Sequence, residues 1–138
     1  MKILKVLFYS VLLLSLEQVT AAVSVSVTPG AQLFITPGVD ISREIVATMT
    51  LNADQPYNVS ISDNNGGALK NGELTIPFRI SYNNNSEITP SIIPTIVETG
   101  SLITDGEATV AVSIFGSDTA TSAAGNYTTT LTLTITGL

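Results

Sequence analysis

From Gly125 to Leu138 the chain alternates between apolar residues and threonine, ending Tyr127-Thr-Thr-Thr-Leu-Thr-Leu-Thr-Ile135. A period of two is the signature of a β-strand. It places Tyr127, Leu131, Leu133 and Ile135 on one face and Thr128, Thr130, Thr132 and Thr134 on the other. Threonine is β-branched and suits a pleated, half-solvated surface. Between Thr128 and Thr136 there is no charge, no proline and no glycine, the residues that blunt an exposed edge. Such a strand is either central in its sheet or an edge kept open for a partner strand.

The same period recurs upstream. Val23, Val25 and Val27 alternate with polar residues up to the turn Pro29-Gly30, and Leu33 and Ile35 share a face before a second Pro-Gly at 37 and 38. Arg43 to Leu51 reads as a strand with Ile45, Ala47, Met49 and Leu51 inward, or as a helix capped by Ser42. Tyr57, Val59 and Ile61 alternate next and stop at Asp63-Asn-Asn-Gly-Gly67, a turn by composition. Leu74, Ile76, Phe78, Ile80 and Tyr82 line one face of a long strand, with Pro77 on its outer face, which argues for an edge position or a bulge there. Ile92 to Val97 is broken by Pro90 and Pro94 and reads as short. Ala108, Val110, Val112 and Ile114 form another strand, followed by a small polar loop from Ser117 to Ala124. About eight short strands with turn chemistry between them describe an all-β, immunoglobulin-like antiparallel sandwich.

The first 22 residues have a different character. Lys2 and Lys5 precede an apolar run from Val6 to Leu16, and Thr20-Ala-Ala22 supplies small residues before Val23. This is the pattern of a secretory signal peptide over residues 1–22. A membrane helix needs roughly 20 apolar residues, and here Glu17 ends the run. The expected organisation is a signal peptide (1–22), an N-terminal arm with the first strand (23–36), and the remainder of one sandwich domain (37–138).

Loss of Lys2, Lys5 and Glu17 leaves three cations against ten acids, a net charge of −7. Nucleic acid is excluded as a partner by that charge, since phosphate backbones are repelled. The chain has no cysteine and no histidine. No disulfide can staple the domain, and no thiol nucleophile, histidine base or usual zinc site can be built. The acids are spaced singly with no evident acid–base pair, so no catalytic residue, metal ligand or cofactor site is assigned and an enzyme is not expected. Asp63-x-Asn65-x-Gly67 has the opening of a calcium loop, but the twelfth position is Leu74 where a glutamate should ligate, which leaves an Asx turn. Tyr57, Tyr82 and Tyr127 all fall on inward faces, which favours core packing over stacking on a sugar. Tyr127, just after Gly125-Asn126, stands where a tyrosine closes the corner of immunoglobulin-like sandwiches.

The runs Val110-Ala-Val-Ser-Ile-Phe-Gly116 and Ala124-Gly-Asn-Tyr-Thr-Thr-Thr-Leu-Thr-Leu-Thr-Ile135 resemble the C-terminal end of spore coat protein U-like subunits, the secreted domains that include archaic chaperone-usher pilins. Pro56-Tyr-Asn-Val-Ser-Ile61 and Ile76-Pro-Phe-Arg-Ile-Ser-Tyr82 resemble the middle strands of the same domain, and the alternate class of fimbrial subunits ends in a similar Gly-Asn-Tyr strand. Many members carry cysteines and this chain has none, which leaves the subfamily open. The resemblance implies an incomplete sandwich completed by donor-strand exchange, with a groove beside the C-terminal strand. A periplasmic chaperone fills that groove first, and the arm of the next subunit replaces it in a surface fibre assembled through an outer-membrane usher. Under this mapping Val23, Val25 and Val27 are donor residues, and Leu33, Ile35, Tyr127, Leu131, Leu133 and Ile135 wall the acceptor groove. Burying three valines is worth about 5 to 9 kcal/mol, comparable with a domain's whole net stability of about 5 to 15 kcal/mol. The alternative is that Val23 to Thr28 pairs within its own domain. Competing functions are a self-contained secreted module that binds carbohydrate or a host protein, and a non-fimbrial spore or cell coat protein.

Overall fold

The computed structural model describes residues 4–14, 23–29 and 33–138. Its strands in chain order are β1 (Leu4–Leu14), β2 (Val23–Pro29), β3 (Leu33–Ile35), β4 (Ile41–Ala53), β5 (Tyr57–Asp63), β6 (Ala68–Asn71), β7 (Leu74–Pro77), β8 (Arg79–Tyr82), β9 (Thr95–Gly100), β10 (Ile103–Ile114) and β11 (Asn126–Gly137). One helical turn, α1 (Gly116–Thr119), lies in the loop before β11. The strands form two sheets. The first runs β3-β1-β11-β5-β9, with β6 pairing β11 and β7 pairing β6; the second runs β2-β4-β10-β8. Every ladder is antiparallel except that between β1 and β11, which is parallel. The chain is an all-β sandwich, as its alternation predicts.

The core is a single apolar cluster between the sheets. Val59, Ile61, Leu133 and Ile135 meet Met49, Leu51, Ile80, Val110 and Val112 there, all buried. Burial alternates strictly along β5 and β11 because a period-two pattern leaves one face of each strand to the core. Residues 43–51 form part of β4 and not a helix.

Three departures from simple alternation have local causes. Ile45, expected inward, is 54% exposed, while Val46 and Ala47 are both buried. Val110 pairs Ala47 and Ala111 pairs Ile45, so Val46 is an extra residue, a β-bulge that flips the faces before it. Nearby, Arg43 takes a left-handed backbone (φ 51) and its amide donates to Ser113 Oγ at 3.0 Å. Secondly, the single strand expected over 74–82 is two. β7 belongs to the first sheet and β8 to the second, with the change at Pro77-Phe78, where proline has no N–H to give a ladder. Ile76, Phe78, Ile80 and Tyr82 keep their inward face across the change, but Leu74 is 46% exposed. Leu74 pairs Asn71 across a two-residue turn whose first residue, Gly72, has φ +59, the conformation glycine favours in such hairpins. Thirdly, β9 begins only at Thr95, directly after Pro94, and leaves Ile92 and Ile93 exposed.

The turn after β5 is a polar lock. Asp63 is fully buried; one carboxylate oxygen accepts from the Gly67 amide at 2.7 Å and the other from the Thr129 hydroxyl. Asn64 Oδ1 accepts from the Thr130 amide at 2.9 Å, and the Asn65 side-chain amide donates to the Thr128 carbonyl at 3.3 Å. Gly67 has φ +88, and a Cβ there would come within 2.7 Å of Thr89. The turn therefore binds the first half of β11 through side chains, where β6 contributes one register pair, Thr128 with Lys70.

Replacing Asp63 by alanine leaves the buried Gly67 amide without its acceptor and moves the Thr129 hydroxyl onto Asn64 Oδ1, 3.0 Å away. Asp63→Ala is expected to lower unfolding free energy by about 2 to 4 kcal/mol, with a smaller loss for Asp63→Asn, measured by urea denaturation of the full chain.

Candidate functional site

β11 is a long, uncharged strand with its inner face on the core, and sheets leave no such edge bare without consequence. Its partner along one edge is β5, from Leu131↔Asp63 to Gly137↔Tyr57. Along the other edge lies β1, from Lys5↔Asn126 to Leu14↔Ile135. On its far side β1 meets β3 through Leu4↔Ile35, Lys5↔Phe34 and Val6↔Leu33. Among the described residues β3 pairs with β1 alone. The space between β3 and β11 is thus one strand wide, and residues 4–14 occupy it.

The walls of this groove are the residues singled out in the sequence. Leu33 and Ile35 on β3, and Tyr127, Leu131, Leu133 and Ile135 on β11, are all buried. β3 positions its pair by alternation, with Phe34 between them 65% exposed. Tyr127 anchors the start of β11: its hydroxyl donates to the Ala123 carbonyl four residues upstream at 3.0 Å, the geometry expected of a corner tyrosine. The loop behind it is held by α1, where Thr119 Oγ1 accepts from the Gly38 amide at 3.1 Å and donates to the Gly116 carbonyl at 3.0 Å. Asp40 Oδ1 accepts from the Gly116 amide at 2.6 Å. These bonds fix the Pro37-Gly38 turn after β3 against the loop that precedes β11, and so fix one end of the groove.

Val23, Val25 and Val27 lie elsewhere. They are in register with Ala53, Leu51 and Met49 of β4, on the second sheet. In this arrangement the arm pairs within its own domain, and the strand beside β11 comes from residues 4–14. Reading the chain as a sequence missed that strand, because Val6 to Leu16 is leucine-rich and follows lysines, which is also how an export leader is composed. The available signal was the unblunted edge of β11, which demanded a partner without naming it. Thr129 was missed as well; it shares the buried face of β11 and donates to Asp63.

A second polar cluster lies at the other end of the sandwich. The Tyr57 hydroxyl donates to Glu98 Oε1 at 2.6 Å, and Asn83 Nδ2 donates to Glu98 Oε2 at 3.4 Å. Burial first, and then the Glu98 carboxylate, push the Tyr57 pKa up to about 12. The same two causes raise Tyr82. Both rings are core, and the cluster holds one carboxylate, so it offers no acid–base pair. Among the described residues no three carboxylates gather in one place, and no helix is long and apolar enough to cross a membrane. No protein-family model matches the chain, and comparison with curated proteins finds none similar to it.

The raised Tyr57 pKa fixes the sign of an alkaline effect. Below about pH 10 the folded and unfolded chains both hold the phenolic proton; between about 10 and about 12 only the unfolded chain releases it, so stability falls as pH rises through that window. Urea denaturation at several alkaline pH values is expected to show this decline, and Tyr57→Phe to weaken it.

Proposed function

We propose that this chain is a structural subunit of a surface pilus or fimbria, exported through a periplasm and assembled by a chaperone-usher route through donor-strand complementation. The observation that carries the reading is the occupant of the gap beside β11. Residues 4–14 fill it, yet those residues belong to the segment whose composition marks an export leader. Once the leader is removed, the mature chain from Val23 has two walls, β3 and β11, and no strand between them. A strand from outside must then complete the sheet, which is the strand-addition mode of recognition, with main-chain bonds for affinity and alternate side chains for specificity.

The partners follow from that need: a periplasmic chaperone to cover the groove, an outer-membrane usher, and further copies of the chain. The donor assigned to each neighbouring copy is the arm Val23 to Thr28. At home β2 is the end strand of its sheet and pairs with β4 alone among the described residues, while Val23 also packs against the core. No catalytic role is assigned.

One observation favours a second reading, a self-contained secreted module that binds a host protein. Ile92, Ile93 and Ile96 are 69%, 76% and 59% exposed at and just before the edge strand β9, and grouped exposed apolar residues mark interaction surfaces.

Mature chains expressed with and without Val23 to Thr28 separate the two. On an unboiled denaturing gel the full mature chain is expected to give a ladder of oligomers that disappears on truncation. Single monomer bands of equal melting temperature from both would overturn the fibre reading and leave the binding module.

A further inference from the structure

Building on the fibre reading, we infer that residues 4–14 are the chain's own placeholder strand: while the leader remains attached, β1 occupies the acceptor groove and blocks entry by another strand.

The register carries this. Along β11 the buried residues Tyr127, Thr129, Leu131, Leu133 and Ile135 are in register with Val6, Phe8, Ser10, Leu12 and Leu14. Along β3 the buried residues Leu33 and Ile35 are in register with Val6 and Leu4. Two walls thus select the same parity of β1 independently, and at that parity every residue but Ser10 is apolar. The charged residue Lys5 falls at the other parity, in register with exposed Phe34 and exposed Asn126. Leu7, Val11 and Leu13 at the other parity are apolar too, so the cost of a one-residue slip is that it carries Lys5 to the inner face.

Tethering decides the competition. β1 and β2 are separated by residues 15–22 of the same chain, and a short linker gives an effective concentration of order mM. A neighbouring subunit at about µM concentration offers its arm at roughly a thousandfold disadvantage. The β1 ladder is also longer, running from Lys5 to Leu14, whereas the arm runs only from Val23 to Thr28. Cutting between β1 and β2 removes the tether and with it the advantage. Leader removal would then be the step that opens a subunit to intermolecular pairing, in addition to its role in export.

The test uses the full chain made where leaders are not cleaved, with a site-specific protease sequence inserted after Glu17. Hydrogen exchange at the amides of 4–14 directed at β11 or β3 is expected to be slowed at least about a hundredfold relative to an unstructured peptide. Phe8→Asp with Leu12→Asp, at the parity of the buried walls, should abolish that protection and let the uncut chain form oligomers; Leu7→Asp with Leu13→Asp should do neither. Protection of β5 and β10 amides in each variant reports whether the rest of the sandwich still folds. Free exchange across 4–14 in the parent chain, or identical behaviour of the two double variants, would overturn the inference. The fibre reading is scored separately on chain 23–138. If that chain forms oligomers while 4–14 exchanges freely, the placeholder falls and the fibre reading stands. If 4–14 is protected but 23–138 stays monomeric, the reverse holds.

Discussion

The constraint on which this molecule depends is the second edge of β11, the one that β5 does not pair. A strand with one face in the core cannot leave a row of amides and carbonyls beside that core without partners. β5 satisfies one edge, and on the other the ladder from Asn126 to Ile135 is made entirely with β1. β3 depends on the same strand. If β1 is withdrawn, one sheet loses a central member, β3 is detached from it, and the buried wall from Tyr127 to Ile135 is opened along its length. The stability of the first sheet therefore depends on the strand that supplies this ladder, which is β1.

The polar interactions are arranged so that the two walls keep their places whatever lies between them. Tyr127 is tied to Ala123, the loop beyond it to Gly38 and Asp40, and the Asp63–Gly67 turn to Thr128, Thr129 and Thr130. None of these contacts is made by a residue of β1. They hold the start of β11, the turn after β3 and the end of β5 as a frame around β1.

How far the fold was legible depended on what each residue had to satisfy. Alternation is imposed by the core, so the inward sets of β5, β10 and β11 could be read directly from Val59, Ile61, Val110, Val112, Leu133 and Ile135. The bulge at Val46 could not, because an extra residue is visible only against its partner strand, and the sequence of β4 carries no mark of where β10 will pair. Nor could the change of sheet at Pro77, since Ile76, Phe78 and Ile80 keep one parity across it. That Leu33, Ile35 and alternate residues of the terminal strand are buried was legible from their period of two. The strand between β3 and β11 was not, because an apolar run after lysines satisfies the chemistry of export and the chemistry of a buried strand equally well.

The most direct measurement is hydrogen exchange along β11 in the mature chain, residues 23–138, with and without a synthetic peptide of residues 2–14, using a scrambled peptide as control. A gap between β3 and β11 predicts that those amides from Asn126 to Ile135 directed at β1 exchange rapidly in the chain alone, while those bonded to β5 and to Asn64 stay slow, and that the authentic peptide but not the scrambled one protects them. Equal protection of β11 with no peptide present would mean that the mature sandwich closes on itself, and would contradict the central claim.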